Sequence, residues 1–298
     1  LGLAHVGVLK ALEENNIPID YITGTSAGAM IGSMYSAGIS PQQMEYLFFD
    51  DKFELISNGG IETQYKYFFR KTDNDASLVN IRFSDDFNVT KSLPTSLTNP
   101  ISLDFEYMKQ YSNISAQVDY NFDSLFVPFR CVASDINTKS QVVFGTGHLN
   151  QAVRASMTYP GYIRPIMVEG KLLFDGGLYN NFPSDIMYDE FMPDIIIGVN
   201  FTDSAAPPDQ DDPISQLKTM ILNRAETSII CENGILIEPN ASIGVFDFGK
   251  AEEIVQEGYE AAMALMDSIK DAIHLRVSDS ALLQKRMRFR EKLKPIYF

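Results

Sequence analysis

The stretch that most constrains this chain is Gly24-Thr25-Ser26-Ala27-Gly28, set between Tyr21-Ile22-Thr23 and Ala29-Met30-Ile31-Gly32-Ser33-Met34-Tyr35. It reads as a short apolar strand, a tight turn of small residues, and then a helix. The pattern is G-x-S-x-G, and the reason for its glycines is steric. A serine held on a sharp strand-to-helix turn has strained backbone angles and close neighbours on both sides. Only Gly and Ala beside it let strand and helix approach so closely. Such a turn lifts the Ser26 hydroxyl clear of the sheet. It also aims the first amides of the helix, with their partial positive charge, at an oxyanion formed beside it. The pentapeptide alone fits equally well a turn that only packs a helix on a strand; the strand before it and the helix after it favour the chemical reading.

The rest of the chain bounds what such a turn can serve. A length of 298 residues with 45% hydrophobic and 11% aromatic content is globular composition, ordinary for an α/β domain. No run of 18 apolar residues is present to span a bilayer as a helix. A net charge of −15 argues against a nucleic-acid partner and against simple electrostatic adsorption to an anionic membrane. Any contact with a lipid surface, transient at most, would have to be apolar and local. Two cysteines, Cys131 and Cys231, with three scattered histidines do not make a zinc site, and no metal or cofactor is expected. Cys131 lies in an apolar run and reads as a small buried hydrophobe. The redox compartment and the oligomeric state are left open.

In order, Gly2 to Asn16 reads as a helix, with Leu3, Val6, Leu9 (or Val8) and Leu12 on one face and Lys10, Glu13 and Glu14 on the other. The helix after the turn should end at Gly38, and Ser40-Pro41-Gln42-Gln43 should start the next with an N-cap, Pro at N1 and a capping-box Gln. From about Asn58 to Asp123 no long period is visible. This reads as an insertion of short helices and strands, whose Tyr65, Tyr67, Phe68 and Phe69 could border a substrate entrance. Val127–Ala133 and Gln141–Phe144 read as strands and Asn150–Met157 as a short helix. Met167–Phe174 reads as a hairpin turning at Glu169-Gly170, and Asp194–Val199 as a parallel strand covered on both faces. Ser204–Pro213 is expected to be a surface loop and Ile235–Ile237 a strand. Lys250 to about Leu275 reads as one long helix, with Ile254, Gly258, Ala261, Leu265, Ile269 and Ile273 in a stripe. A basic tail, about 281–298, closes the chain. Alternating helices and buried strands predict a three-layer α/β/α fold with a mostly parallel central sheet. The whole reads as one domain, 1–298, cut from a longer chain.

A serine nucleophile needs a base. A Ser–acid–His order leaves His148 and His274 as candidates, and both settings look structural. Asp175 is the alternative. It ends the strand Leu172-Leu173-Phe174, and Gly176 and Gly177 follow it. Its carboxylate is placed at the edge of an apolar layer, where desolvation raises its pKa towards useful base strength. An Asp-Gly turn is also common without any catalytic role. Asp135 and Arg154 read as structural, one in a strand-end turn and the other a helix residue pairing nearby.

Together, Gly24–Gly28 and Asp175-Gly176-Gly177 resemble the patatin-like phospholipase family. So do Leu3–Leu9, Val132–Asp135, Ala152–Met157 with Pro160, and Gly177–Pro183, all in the family's order. The resemblance implies an α/β/α fold and a Ser26–Asp175 dyad cleaving lipid esters through an acyl-enzyme, with no histidine. It implies an oxyanion site and nucleophile elbow made of Gly2, Gly24, Thr25, Ala27 and Gly28, with amides of the elbow helix and of the loop before Gly2 holding the oxyanion. The family's glycine run and basic residue come before the glycine at position 2. Here Leu1 stands in the basic position, so the oxyanion loop is expected to be incomplete in these residues. The insertion and basic tail resemble bacterial members in which such a domain precedes an outer-membrane β-barrel. That would place it in the periplasm or at the outer membrane, and otherwise in the cytoplasm. Two other readings remain at this stage: a catalytically silent domain that binds lipid or protein, and an esterase of small soluble esters.

Overall fold

The computed structural model describes residues 2–65, 96, 98–200, 228–239 and 250–293. Its first helix, α1 (Ala4–Glu14), is buried on two sides rather than one: Val6, with Leu3 just ahead of the helix, packs into one core cluster and Val8, Ala11 and Leu12 into another. Strand β1 (Ile22–Thr25) leads directly into α2 (Ala27–Ser36), which ends where Gly38 takes a positive φ of 81°. Helix α3 (Pro41–Phe48) starts on the expected reciprocal cap. The Ser40 hydroxyl accepts from the Gln43 amide, and the Gln43 side chain accepts from the Ser40 amide. Next come α4 (Asp51–Ser57) and α5 (Ile101–Gln117).

Strand β2 (Phe129–Asp135) is buried at all seven positions and forms the axis of the sheet. Strand β3 (Ser140–Phe144) pairs antiparallel with it from Cys131 to Asp135 and so occupies one edge. The other edge is shared. Strand β1 runs parallel along it, from Ile22 opposite Phe129 to Thr25 opposite Val132. Following α6 (Leu149–Ser156) and β4 (Ile166–Val168), strand β5 (Lys171–Asp175) runs antiparallel along the remainder, and ends with Asp175 opposite Ala133. The C-terminal ends of β1 and β5 therefore meet tail to tail beside Val132 and Ala133. Strands β4 and β5 form the expected hairpin, whose Glu169 and Gly170 both have positive φ, 50° and 78°.

Helices cover both faces. On the face of Ile22 and Gly24 lies α2, where Gly32 packs against Ile22 and Phe129. Beside it α6 touches the same face of β2, and the Cys131 thiol reaches the Ala152 carbonyl. On the opposite face the Thr23 hydroxyl donates to the Pro183 carbonyl at the head of α7 (Ser184–Phe191). Arg130 lies over the Phe191 ring of that helix. Strands β6 (Ile197–Val199) and β7 (Ile235–Ile237) form a separate parallel pair. Helices α8 (Ala251–Ala264), α9 (Met266–Ala272) and α10 (Asp279–Glu291) complete the described chain. Helices α1 and α8 touch backbone to backbone: a Cβ on Gly7 would lie 1.9 Å from the Val255 carbonyl oxygen, and one on Gly258 2.0 Å from that of Ala4.

The fold is α/β, as expected, and its described strand pairs are mixed. Two are parallel, β1–β2 and β6–β7; three are antiparallel, β2–β3, β2–β5 and β4–β5. The stretch expected to hold only short elements contains α5, with 17 residues the longest described helix. Its period is hard to see because tyrosines and a serine (Tyr107, Tyr111, Ser115) face inward while Ile101, Phe105 and Met108 are exposed. Tyr65 is exposed against Phe105; Tyr67, Phe68 and Phe69 lie outside the described residues, as does 204–213. The single helix expected over 250–275 is broken at Leu265, whose amide bonds the Ala262 carbonyl three residues back. Beyond the break the buried stripe continues through Met266 and Ile269. The basic tail is helical in its described part, and its charge run is not all solvated. Arg286 is buried against Glu13 of α1, Nη2 to Oε1 2.5 Å, beneath the Tyr35 and Phe126 rings. Glu13 thus leaves the polar face assigned to it.

Candidate active site

At the junction of β1 and β5, the Ser26 hydroxyl donates to Asp175 Oδ2 at 2.6 Å. Ser26 has φ 53° and ψ −122°, a conformation costly for any residue with a side chain, and it persists because both neighbours are fixed. Ahead of it, a Cβ on Gly24 would stand 2.6 Å from the Gly28 carbonyl carbon and oxygen, so strand and helix can approach this closely only with glycine there. The Thr25 hydroxyl donates to the Asn180 carbonyl at 2.9 Å, tying the strand end to the loop after Asp175. Behind it, Ala27, Gly28 and Ala29 open α2. The first intrahelical bond runs from the Met30 amide to the Ser26 carbonyl, so the helix itself leaves these three amides unbonded.

Asp175 is 5% exposed. Its Oδ1 accepts from the Gly177 amide at 2.8 Å, which leaves Oδ2 to face Ser26. Burial pushes the carboxyl up from 3.8 to about 6, against the lowering pull of the Ser26 hydroxyl and the Gly177 amide. Gly176 has no room for a side chain, since a Cβ there would sit 2.3 Å from the Val132 carbonyl oxygen. A carboxylate of this basicity on a serine hydroxyl is a competent proton acceptor near neutral pH.

Gly2 lies against Ala27, where a Cβ added to it would come 2.2 Å from the alanine Cβ. The structure thus brings together Gly2, Gly24, Thr25, Ser26, Ala27, Gly28, Asp175, Gly176 and Gly177. The two histidines weighed from the sequence are elsewhere. His148 is exposed ahead of α6 with its ring against Tyr120, and His274 is exposed beyond the end of α9 rather than on it. The histidine that reaches the turn is His5, which the sequence did not single out. Its Nδ1–H donates to the Gly2 carbonyl at 2.8 Å, and its Nε2 faces Gly28. Burial pushes its pKa below the ordinary value.

Asp135 and Arg154 have the structural settings expected of them. Asp135 Oδ1 accepts from the Asn137 amide in a strand-end turn, and Arg154 pairs with Asp104 of α5 at 2.5 Å. Sequence reasoning missed Ser156, whose hydroxyl accepts from the Ser26 amide at 2.8 Å. Its only signal was its place in the block Ala152–Met157. Among the described residues no group of three His, Cys, Asp or Glu side chains could hold a metal, and no helix is long and apolar enough to cross a membrane.

The pattern of the family described as Patatin-like phospholipase matches residues 1–188. Over 197 residues the chain is 31% identical to the patatin-like phospholipase domain-containing protein ZK370.4 of Caenorhabditis elegans, covering 62% of this chain and 12% of that protein. Over 298 residues it is 25% identical to lysophospholipase NTE1 of Mycosarcoma maydis, covering 89% of this chain and 14% of that one. The chain therefore spans a small part of the length of these relatives. Among solved structures it is similar to VipD from Legionella pneumophila, with a TM-score of 0.46 and 12% identity over 90% of this chain and 65% of the other. With more than half its length matched, the chain belongs to the patatin-like phospholipase family.

Proposed function

We propose that this domain hydrolyses carboxylic esters of phospholipids or lysophospholipids with Ser26 as nucleophile and Asp175 as its base. The observation that carries the reading is the 2.6 Å hydrogen bond from a serine on a strained strand-to-helix turn to a buried carboxylate. Ser26 Oγ attacks the ester carbonyl carbon as its proton passes to Asp175 Oδ2. The oxyanion forms beside the Ala27 and Gly28 amides and the backbone about Gly2. Collapse expels the alcohol, which takes the proton from Asp175 and leaves an acyl group on Ser26. Asp175 then draws a proton from water, the hydroxide attacks the acyl carbon, and Ser26 leaves with that proton. The relative named a lysophospholipase supports a lipid substrate, and the exposed settings of His148 and His274 disfavour a histidine-dependent esterase.

The test is fatty-acid release by the full-length protein from phospholipid and lysophospholipid vesicles and from a short-chain soluble ester. The proposal expects release from the lipids that is abolished by Ser26→Ala and by Asp175→Asn. Turnover of the soluble ester alone would make the protein a general esterase. Absence of turnover on every ester would favour a silent binding domain.

A further inference from the structure

We propose that the end of α6, residues Ser156 to Thr158, is a bracket that sets the distance between Ser26 and Asp175, with the Ser156 hydroxyl as the positioning group for the nucleophile. This rests on the dyad reading above. The observation is a break in the hydrogen-bond ladder. In the parallel β1–β2 pair the Ile22 amide donates to the Pro128 carbonyl at 3.0 Å. Parallel pairing repeats every two residues, so the same row leads to Gly24 on Arg130 and then to Ser26 on Val132. That last rung is not made directly. The Ser26 amide donates instead to Ser156 Oγ at 2.8 Å, and the Ser156 hydroxyl donates to the Val132 carbonyl at 2.5 Å.

One hydroxyl is thus spliced into the final rung. It satisfies the part-buried Ser26 amide and the buried Val132 carbonyl at once, and it stands between β1 and β2 as one oxygen in place of a direct rung. This is where Ser26 departs from the strand to its positive φ. Two residues further on, the Thr158 carbonyl accepts from the Asp175 amide at 2.8 Å, beyond the last β4–β5 pair. One short segment therefore holds the main-chain amides of both members of the dyad. The segment is itself anchored. Arg154 donates to Asp104 Oδ1 at 2.5 Å, to the Thr158 hydroxyl at 2.6 Å and to the Arg164 carbonyl at 2.8 Å. Ser156 and Thr158 are completely buried, so neither touches substrate; they act through Ser26 and Asp175.

The test is kcat and KM for lipid ester hydrolysis by the full-length protein. Ser156→Ala should lower kcat at least about tenfold and up to about a hundredfold, because a displacement of an ångström at the reacting atoms costs that much. Its KM should stay within about twofold, since the lipid-binding surface is untouched. Ser156→Thr keeps the hydroxyl and should recover kcat to within about threefold of wild type. A Ser156→Ala protein with wild-type kcat, or a threonine variant no better than alanine, would overturn the proposal. Should Ser156→Ala fail to fold, Thr158→Val frees the segment from Arg154 while keeping its carbonyl, and must also lower kcat at constant KM. Ser26→Ala and Asp175→Asn are measured alongside. If both retain turnover the dyad reading fails; if both lose it while Ser156→Ala does not, only the bracket fails.

Discussion

Ser26 is partly exposed and carries its energetic cost in the backbone, at φ 53° and ψ −122°. Asp175, 2.6 Å away, has ordinary angles (φ −49°, ψ 132°) and carries its cost in burial, which pushes its carboxyl up to about 6. One half of the site stores conformational strain and the other stores desolvation. In the proposed dyad the nucleophile must project towards a substrate that arrives from outside, so geometry has to expose it. The base must be more basic than a carboxylate in water, so the apolar layer has to cover it. The two costs respond differently to substitution and to pH, and this is what makes the comparison testable.

The largest effect is expected at the base. Asp175→Asn keeps the shape and its hydrogen bonds to Ser26 and Gly177 but removes the basicity, so turnover should fall by about a hundred- to ten-thousandfold. The same substitution should stabilise the fold. A carboxyl raised from 3.8 to about 6 binds its proton more tightly in the folded state, so wild-type stability should drop as pH rises from about 4 to about 6 and then level off. The full drop is on the order of 3 kcal/mol. Denaturant unfolding at pH 4 and pH 7.5 should show it in the wild type and not in Asp175→Asn; equal drops in both would place the buried charge elsewhere. At the nucleophile the relief should be smaller and indifferent to pH. Ser26→Gly, which tolerates positive φ, should gain about 1 kcal/mol at either pH, less what glycine loses in unfolded-state entropy, while Ser26→Ala gains none of it. The smallest effect belongs to the histidines weighed from the sequence. His148→Gln with His274→Gln should leave kcat/KM within about twofold.

How legible each half was follows from the same contrast. The turn at Ser26 is local: five adjacent small residues, with a glycine at position 24 where a Cβ would collide, state its conformation in the sequence. Asp175 was legible through Leu172-Leu173-Phe174 before it and the two glycines after it. What holds the two together was not legible. Asp175 reaches the Ser26 hydroxyl because β1 and β5 end on the same edge of β2, and Ser156 reaches the Ser26 amide from a helix packed on that strand, contacts between residues 149 and 130 apart in sequence. Helix α5 escaped because its inward side is aromatic and hydroxylated: Tyr111 bonds the Ser33 hydroxyl of α2 at 2.8 Å, so polar atoms stand where a hydrophobic period was sought. The basic run near the end gave no sign of docking, since the partner of Arg286 is Glu13, 273 residues earlier.

The central claim is that Asp175 alone supplies the basicity that activates Ser26. The most direct test is the rate at which a fluorophosphonate labels Ser26 in the full-length protein, followed by intact mass across pH 4.5 to 8. Such labelling needs the nucleophile and its base but no lipid specificity. In the wild type the rate should rise with pH through a midpoint near 6, where burial has placed the carboxyl, and Asp175→Asn should label slowly with no such rise. If Asp175→Asn labels at the wild-type rate with the same midpoint, another group activates the serine and the dyad is wrong.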